Sequence, residues 1–180
     1  MTITSGYATL AEFKTWASVR GTTASTDAND DAVIEDIIEA VSRWIDGQTG
    51  RKFAIEGTAS TRYYTAESSD CVRVDEISNA ANITSVSVDY DGEMSTYTAL
   101  TAATDYITLP DNSLALGVPI NGFEIAPTSA NYFPITRRGV KVVAKFGWAS
   151  VPDNLKTDAL AIALNIYKER SGQAAMGQVQ

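Results

Sequence analysis

Histidine is absent from the 180-residue sequence, and this absence excludes more kinds of function than any other feature of the chain. Ser-His-Asp and Cys-His nucleophile systems need an imidazole base, and histidine is also the commonest protein ligand for metals. Most hydrolase mechanisms are therefore excluded. Paired carboxylates could still serve glycoside hydrolysis, but the sequence singles out no pair. We predict no catalytic residue, no metal and no cofactor, and hence a protein that is not an enzyme.

Cysteine occurs once, as Cys71, so the chain cannot form an internal disulfide. Cys71 opens an alternating strand-like segment with no visible base beside it, which predicts a buried packing role and not a reactive thiol. The nearest approach to a metal-binding cluster is formed by Asp27, Asp30 and Asp31. These residues stand where a helix is predicted to begin, and carboxylates there stabilise the positive end of the helix dipole, so metal binding is the less favoured alternative.

Dense basic clusters and long apolar runs are also missing. The net charge is −8, and the strongest basic pairs are Arg51-Lys52 and Arg137-Arg138, which predict solvated surface and disfavour tight binding of nucleic acid. The apolar runs are far shorter than a membrane span, and the N-terminus lacks the basic start and apolar stretch of a signal peptide. We therefore expect an unexported, soluble chain with either one sizeable core or a small helical core into which a β subdomain is inserted.

Three helices are predicted, over Thr9 to Arg20, Asp30 to Asp46 and Pro152 to Arg170. The first begins with a capping box of Thr9 and Glu12. The second carries a conventional apolar stripe, which consists of Ile34, Ile37, Ile38, Val41 and Ile45. Val33 and Trp44 widen that stripe on one shoulder, where they either flank the core or meet a neighbouring subunit.

The third predicted helix is apolar over an unusually wide arc. One stripe consists of Leu155, Ala159, Ile162, Ala163 and Ile166, and Leu160, Leu164 and Tyr167 extend it to about 200° of the circumference. Such a helix needs cover on two sides, and an inserted sheet or an adjacent subunit could supply the second. The polar residues Ser171 to Gln180 are predicted to be mobile when the protein is alone.

Between the second and third helices the pattern changes to alternation, which predicts an antiparallel sheet. The candidate strands are Arg62–Ala66, Cys71–Asp75, Ser85–Tyr90, Thr96–Leu100, Tyr106–Leu109, Gly122–Ala126 and Val140–Trp148. Asp91-Gly92 is typical of a tight hairpin, whereas 110–119 and 127–134 are predicted to be loops. The predicted fold class is α+β: a small bundle of three main helices (1–60 and 149–180) with an inserted antiparallel β subdomain (61–148), together one folding unit.

Segments at both ends of the chain resemble the head-tail connector (adaptor) proteins of tailed bacteriophages, in the longer form that has a β-rich insertion. The resemblance covers about residues 7–66 and 138–171 and depends on the order and spacing of several short motifs. These are Trp44-Ile45-Asp46 followed by Thr49 to Phe53, Arg62-Tyr63-Tyr64, and Phe146-Gly147-Trp148 leading to Val151-Pro152. Residues 67–137 resemble no family.

The resemblance implies a structural protein of the virion neck, assembled in the host cytoplasm as a ring of about twelve copies. Such a ring lies between the portal protein and a stopper or tail-completion protein, and genomic DNA passes through its lumen without sequence-specific binding. Family members commonly engage the portal through the C-terminal part of the chain, here Tyr167 to Gln180. The predicted subunit or partner contacts are Val33, Trp44, Leu160, Leu164, Tyr167, Arg170 and Met176. The alternative is a β-rich decoration or carbohydrate-binding module, suggested by the tyrosines of the insertion.

Overall fold

The computed structural model describes the backbone of residues 6–24 and 27–176, with the side chains of these residues as far as Arg170. Within these ranges it contains four α-helices and seven strands in two antiparallel sheets, which confirms the predicted α+β class. The chain divides into two compact units. Residues up to Ala54 with those from Val151 onward form the helical unit, and Ile55–Ser150 form the β unit. No helix in the described ranges is long and apolar enough to cross a membrane.

The helical unit contains the three predicted helices, here α1 (Leu10–Val19), α2 (Ala28–Thr49) and α4 (Asp153–Met176). The predicted capping box of α1 is present: the Thr9 amide donates to Glu12 Oε2 at 2.8 Å, and the Glu12 amide donates to Thr9 Oγ1 at 3.2 Å. Asp27 caps α2, whose end is set by Gly50 in the left-handed conformation. Helix α4 continues to Met176, past the predicted helix end at Arg170, and residues 177–180 lie outside the described part. The mobility predicted for Ser171 to Gln180 stays a prediction.

Helices α2 and α4 pack against each other in an antiparallel arrangement. Arg170, near the end of α4, lies 3.8 Å from Asp30, near the start of α2. The core of the unit combines aliphatic residues, most of them from these two helices, with aromatic residues from α1, α4 and the segments before α1 and after α2. Its members are Tyr7, Ala8, Phe13, Ala17, Ile34, Ile38, Val41, Ile45, Phe53, Ala159, Leu160, Ala163, Leu164 and Tyr167.

The β unit contains two antiparallel sheets. The strands are β1 (Ser60–Tyr64), β2 (Cys71–Ile77), β3 (Ile83–Val88), β4 (Thr98–Leu100), β5 (Tyr106–Leu109), β6 (Ile120–Ile125) and β7 (Val140–Ala144). One sheet has the order β1-β7-β3-β4 and the other β2-β6-β5. The central strand β7 follows the predicted alternation, since Val140, Val142 and Ala144 are fully buried, and Phe146 beyond its end is buried as well.

Both sheets contribute to a single buried cluster. Val72 and Phe123 form a register pair in the smaller sheet, and Val86 and Val142 form one in the larger sheet. Because strand side chains alternate between faces, the burial of Val72 directs Cys71 away from this cluster. Cys71 is a free thiol that is only half-buried, so the predicted buried packing role is wrong.

Two local predictions for the β unit are also wrong. Nine residues separate β3 from β4, so Asp91-Gly92 does not form a tight two-residue hairpin. The Asp89 carboxylate shapes this longer turn by accepting hydrogen bonds from the amides of Gly92 and Met94. The predicted loop at 110–119 contains a one-turn helix, α3 (Ser113–Leu116).

Candidate assembly surfaces

A buried tyrosine, Tyr7, joins the segment before α1 to α2 and to the segment after α2 by hydrogen bonds. Tyr7 is 1% exposed, its amide donates to Ser42 Oγ at 2.9 Å, and its hydroxyl donates to the Asp46 carboxylate. The same hydroxyl accepts from the Phe53 amide at 3.1 Å. Burial, together with the hydrogen bond to Asp46, raises the pKa of Tyr7 to about 12, so the phenol is neutral at physiological pH. The sequence pattern did not predict these hydrogen bonds, because the partners of Tyr7 lie 35 to 46 residues from it along the chain.

The hydrogen bonds of Tyr7 and two ion pairs of α1 show on which side of α2 the helix α1 lies. Lys14 of α1 lies 2.6 Å from Asp31, and Lys156 of α4 lies 2.8 Å from Glu12. At 100° per residue, Asp31, Ser42 and Asp46 follow one side of α2. Helix α1 therefore covers that side of the α2-α4 pair.

The opposite side of the α2-α4 pair carries uncovered apolar side chains. On α2, Val33, Ile37 and Trp44 lie within about 40° of one another and about 160° from Ser42. Trp44 is 56% exposed, whereas Val33 and Ile37 are half-buried. The equivalent row on α4 consists of Leu155, Ile162 and Ile166.

Ile166 is 42% exposed, and Leu155 and Ile162 are half-buried. The ion pair of Arg170 with Asp30 lies along the seam between the two rows, which places both rows on the same side of the helix pair. We call the six residues Val33, Ile37, Trp44, Leu155, Ile162 and Ile166 the apolar shoulder.

The structure corrects the orientation predicted for α4. Leu160, Leu164 and Tyr167 are only 3–7% exposed, so they belong to the core of the subunit. Tyr167 packs edge-to-face on Phe13, with ring centroids 5.7 Å apart. The apolar arc is as wide as predicted, but its outward edge is the row that contains Ile162 and Ile166. Among the other predicted contacts, Arg170 is at the rim of the shoulder and Met176 ends α4.

A second apolar surface lies along α1, and the sequence did not predict it. A shallow groove of about 440 Å³ is lined by Ala11, Glu12, Thr15, Trp16, Val19, Arg20 and Leu160, which we call the α1 groove. Val19 is 80% exposed, and the Arg20 guanidinium lies 3.3 Å from the centre of the Trp16 ring. The buried Trp16 indole N–H has no hydrogen-bond partner among the described residues. The groove forms where α4 supplies Leu160 as its floor, and a single helix pattern cannot reveal such a contact.

In the β unit, the motif Arg62-Tyr63-Tyr64 forms a polar network on one edge of the larger sheet. The Arg62 guanidinium contacts Glu56 and Asp75, each at 2.5 Å, and lies 3.9 Å from the centre of the Phe146 ring. Burial opposes ionisation of Glu56, but the hydrogen bond from Ser60 and the charge of Arg62 together lower its pKa. The Tyr64 hydroxyl donates to Asp75, and burial raises the pKa of Tyr64. The motif thus has a structural role as the centre of an ion-pair network.

The tyrosines of the β unit pack mainly against one another or against the core. Tyr106 is buried against Phe123, and the rings of Tyr90 and Tyr132 are 4.9 Å apart. Arg138 lies over the ring of Tyr63 at 4.1 Å. Across the described ranges, no group of three or more acidic or cysteine side chains could hold a metal ion. The most exposed of these tyrosines are Tyr63, at 40%, whose ring lies 5.8 Å from that of Tyr97, and Tyr132, at 48%.

No family model matches the sequence, and no curated protein matches it either. Among solved structures, the chain is similar to a chain in the neck of an empty gene transfer agent particle computed with C6 symmetry. That match has a TM-score of 0.60 and 18% identity, and covers 93% of this chain and 81% of that chain.

Two further matches are similar in extent. A chain in the neck of a native gene transfer agent particle, computed with C12 symmetry, gives a TM-score of 0.57 with 16% identity over 93% of this chain and 80% of that chain. A chain in the virion of the native gene transfer agent particle gives a TM-score of 0.55 with 19% identity. That match covers 93% of this chain and 81% of that chain. Over most of its length, therefore, the chain shares its fold with chains found in gene transfer agent particles.

Proposed function

We propose that this protein is a structural subunit of the neck of a phage-like particle, a head-tail connector that joins the portal to a stopper or tail-completion protein. The observation that carries this proposal is the fold likeness to chains from two neck structures, which spans 93% of the chain. The sequence resemblance to head-tail connectors supports it independently, because that resemblance was drawn from short motifs at the two ends of the chain.

A ring of about twelve copies is part of the proposal. The matched neck structures were computed with C6 and C12 symmetry, which is the context expected of a ring subunit. The net charge of −8 also suits a ring through which DNA passes. An acidic protein repels phosphate, so the genome can move through the lumen without being trapped by counterion release at a basic surface.

The proposed portal contact is the C-terminal end of the chain, from Arg170 onward. Tyr167 is excluded from this contact because it packs on Phe13 in the core. Arg170 is exposed, and α4 extends past it to Met176. Deletion of residues 171–180 is expected to preserve the folded subunit and to weaken portal binding at least tenfold, as measured by biolayer interferometry on immobilised portal. Unchanged affinity would move the portal contact to another surface.

The experiment that tests the proposal combines this protein with its purified portal protein and images the product by negative-stain electron microscopy. We expect an added ring on one face of the portal, and class averages should give its copy number. The truncated chain lacking 171–180 is the matched control for specific docking. If the full chain neither forms a ring nor binds portal at any ionic strength, the proposed function is wrong.

The alternative of a β-rich decoration or carbohydrate-binding module has less support. It depended on the tyrosines of the β unit, and Tyr106 is buried. The most exposed of them, Tyr63 and Tyr132, belong to separate ring pairs, with Tyr97 and with Tyr90.

A further inference from the structure

We propose that neighbouring copies in the ring join head to tail through the helical unit, with the apolar shoulder of one copy docked on the α1 groove of the next. This inference rests on the proposed ring function, and it names the two surfaces and the occupant of each. Three features of the helical unit carry it: the opposed positions of the two surfaces, their apolar character, and the charges at their rims.

The two surfaces lie on opposite sides of the helical unit. Helix α4 contributes to both, with Ile162 and Ile166 on the shoulder and Leu160 in the groove. These positions are about 120° to 160° apart around the helix axis at 100° per residue. On α2, the shoulder residues lie across from Ser42, on the side that α1 does not cover. A copy can therefore use both surfaces at once.

Opposed and different surfaces are what a closed ring requires. A two-fold dimer buries the same patch on both partners, whereas a ring larger than a dimer is built from heterologous contacts in which one patch meets a different patch. A single surface that binds only the same surface of another copy would produce only dimers. This chain has one apolar surface on which the Trp44 indole is 56% exposed and one apolar groove floored by Leu160, so the pair can repeat around a ring.

The apolar anchors sit on rigid helices and are too exposed to serve the subunit's own core. Val19 is 80%, Trp44 is 56% and Ile166 is 42% exposed. Contiguous exposed apolar patches on soluble proteins usually mark interaction sites, and aromatic residues are enriched among the anchors of such sites. Both surfaces carry an indole ring, Trp44 on the shoulder and Trp16 in the groove.

Charged side chains border both surfaces. Exposed carboxylates of Asp158 and Glu169 border the shoulder on α4, at about 60° and 40° from the Leu155 position, and Arg170 at the same rim is paired with Asp30. The groove is bordered by Arg20, whose guanidinium lies over Trp16, and by Glu12, which is paired with Lys156. Asp158 and Glu169 favour docking beside Arg20 and disfavour docking against the same carboxylates of another shoulder, which favours head-to-tail pairing over face-to-face pairing.

Crosslinking of the assembled complex tests this pairing directly. In a Cys71→Ser background, Val19→Cys and Ile166→Cys together place one thiol in the groove and one on the shoulder of each copy. Complexes with portal are treated with a short bis-maleimide and resolved on a denaturing gel. We expect a ladder that runs from dimers to the full ring, whereas each single-cysteine chain should give no species larger than a dimer.

The outcomes distinguish this inference from the function on which it rests. If the chain carrying both cysteines forms rings on portal but gives no ladder above the dimer, the inferred surfaces are wrong and the proposed function stands. If no ring forms with the wild-type chain either, the proposed function itself has failed.

A mixing experiment on portal gives an independent check. Ile166→Asp blocks the shoulder and Val19→Asp blocks the groove, and each side chain is exposed, so both subunits should remain folded. We expect each variant alone to lose at least tenfold in ring formation, counted by electron microscopy. In an equimolar mixture of the two, crosslinking with glutaraldehyde should recover a dimer but no closed ring, because only one productive contact per pair remains.

The matched control is Leu116→Asp, which makes the same kind of exchange at a 66% exposed leucine of the β unit. It should form rings like the wild type. Rings from either Ile166→Asp or Val19→Asp alone at the wild-type level would overturn the inference, as would a mixture in which no dimer is recovered.

Discussion

The helical and β units both expose apolar side chains, but they do so in different places. In the helical unit these side chains lie on the helices themselves, where the helical repeat aligns Ile162 with Ile166 and Val33 with Ile37. In the β unit most of them lie in connections between strands, among them Met94, Leu114, Leu116, Tyr132 and Ile135. Residues aligned on one side of a helix can contact a second surface together. We infer that the helical unit carries the contacts between copies.

The strongest test of this comparison substitutes, in separate variants, two residues on opposite sides of α4. Leu164→Asp places a carboxylate at a position that is 3% exposed in the core of the helical unit. Burial of an unpaired charge in an apolar site should lower the free energy of unfolding by more than about 4 kcal/mol. Thermal denaturation followed by circular dichroism should then show loss of the cooperative helical transition.

Ile166→Asp is the matched control, two residues along the same helix and 42% exposed. Its melting temperature should stay close to that of the wild type. Equal destabilisation by the two substitutions would mean that the shoulder is part of the subunit's core, and the contrast between the two sides of α4 would be lost.

A second prediction concerns the ion-pair network of Arg62 in the β unit. Arg62→Ala removes the cation that joins Glu56 to Asp75 and covers the Phe146 ring. Loss of these charged hydrogen bonds should lower the free energy of unfolding by about 1–3 kcal/mol, although the hydroxyls of Ser60 and Tyr64 still donate to the two side-chain carboxylates. Urea denaturation measures this change.

Arg73→Ala, on the neighbouring strand β2, is the control, because the exposed Arg73 donates only to the Asn121 side chain in the described contacts. Its effect should stay within about 0.5 kcal/mol. If the two arginine substitutions have equal effects, the Arg62 network does not stabilise the β unit.

The sequence was sufficient to predict the three main helices and the approximate positions of the seven strands, but not α3 or which side of α4 is buried. Periodicity correctly gave the three main helices and the buried face of β7, because these patterns depend on residues close in sequence. The orientation of the wide arc on α4 was wrong because two sides of one helix were both apolar. Contacts with α1, such as the packing of Phe13 on Tyr167, show which side is covered, and these contacts join residues far apart in the chain.

The α1 groove was not predicted either, because it is formed by residues that are far apart in the sequence. Its walls come from α1, and its floor, Leu160, comes from α4. The Tyr7 junction likewise joins residues before α1 with the end of α2 and with Phe53. Tertiary contacts of this kind leave no period in the sequence, whereas a capping box does, because Thr9 and Glu12 are three residues apart.

The capping box allows a smaller test, confined to the helical unit. Thr9→Ala removes the oxygen that accepts from the Glu12 amide, which should lower the free energy of unfolding by about 1 kcal/mol. The control is Thr15→Ala on the same helix, whose hydroxyl donates only back to the Ala11 carbonyl in the described contacts. Urea melts should separate the two variants, and indistinguishable midpoints would show that the cap does not limit the stability of α1.

The smallest expected effect is a pH dependence that belongs to the β unit. The pKa of Glu56 is lowered in the folded chain, because the Ser60 hydrogen bond and the charge of Arg62 outweigh the opposing effect of burial. The folded state then binds fewer protons than the unfolded state, so this contribution is present above the unfolded pKa of about 4.3 and is lost as pH falls through the folded value. Glu56→Gln should therefore destabilise by up to about 1 kcal/mol at pH 7, and the difference from wild type should shrink towards pH 3. Urea denaturation of both chains at several pH values measures it, and a difference that grows with acidity would contradict the assigned direction of the shift.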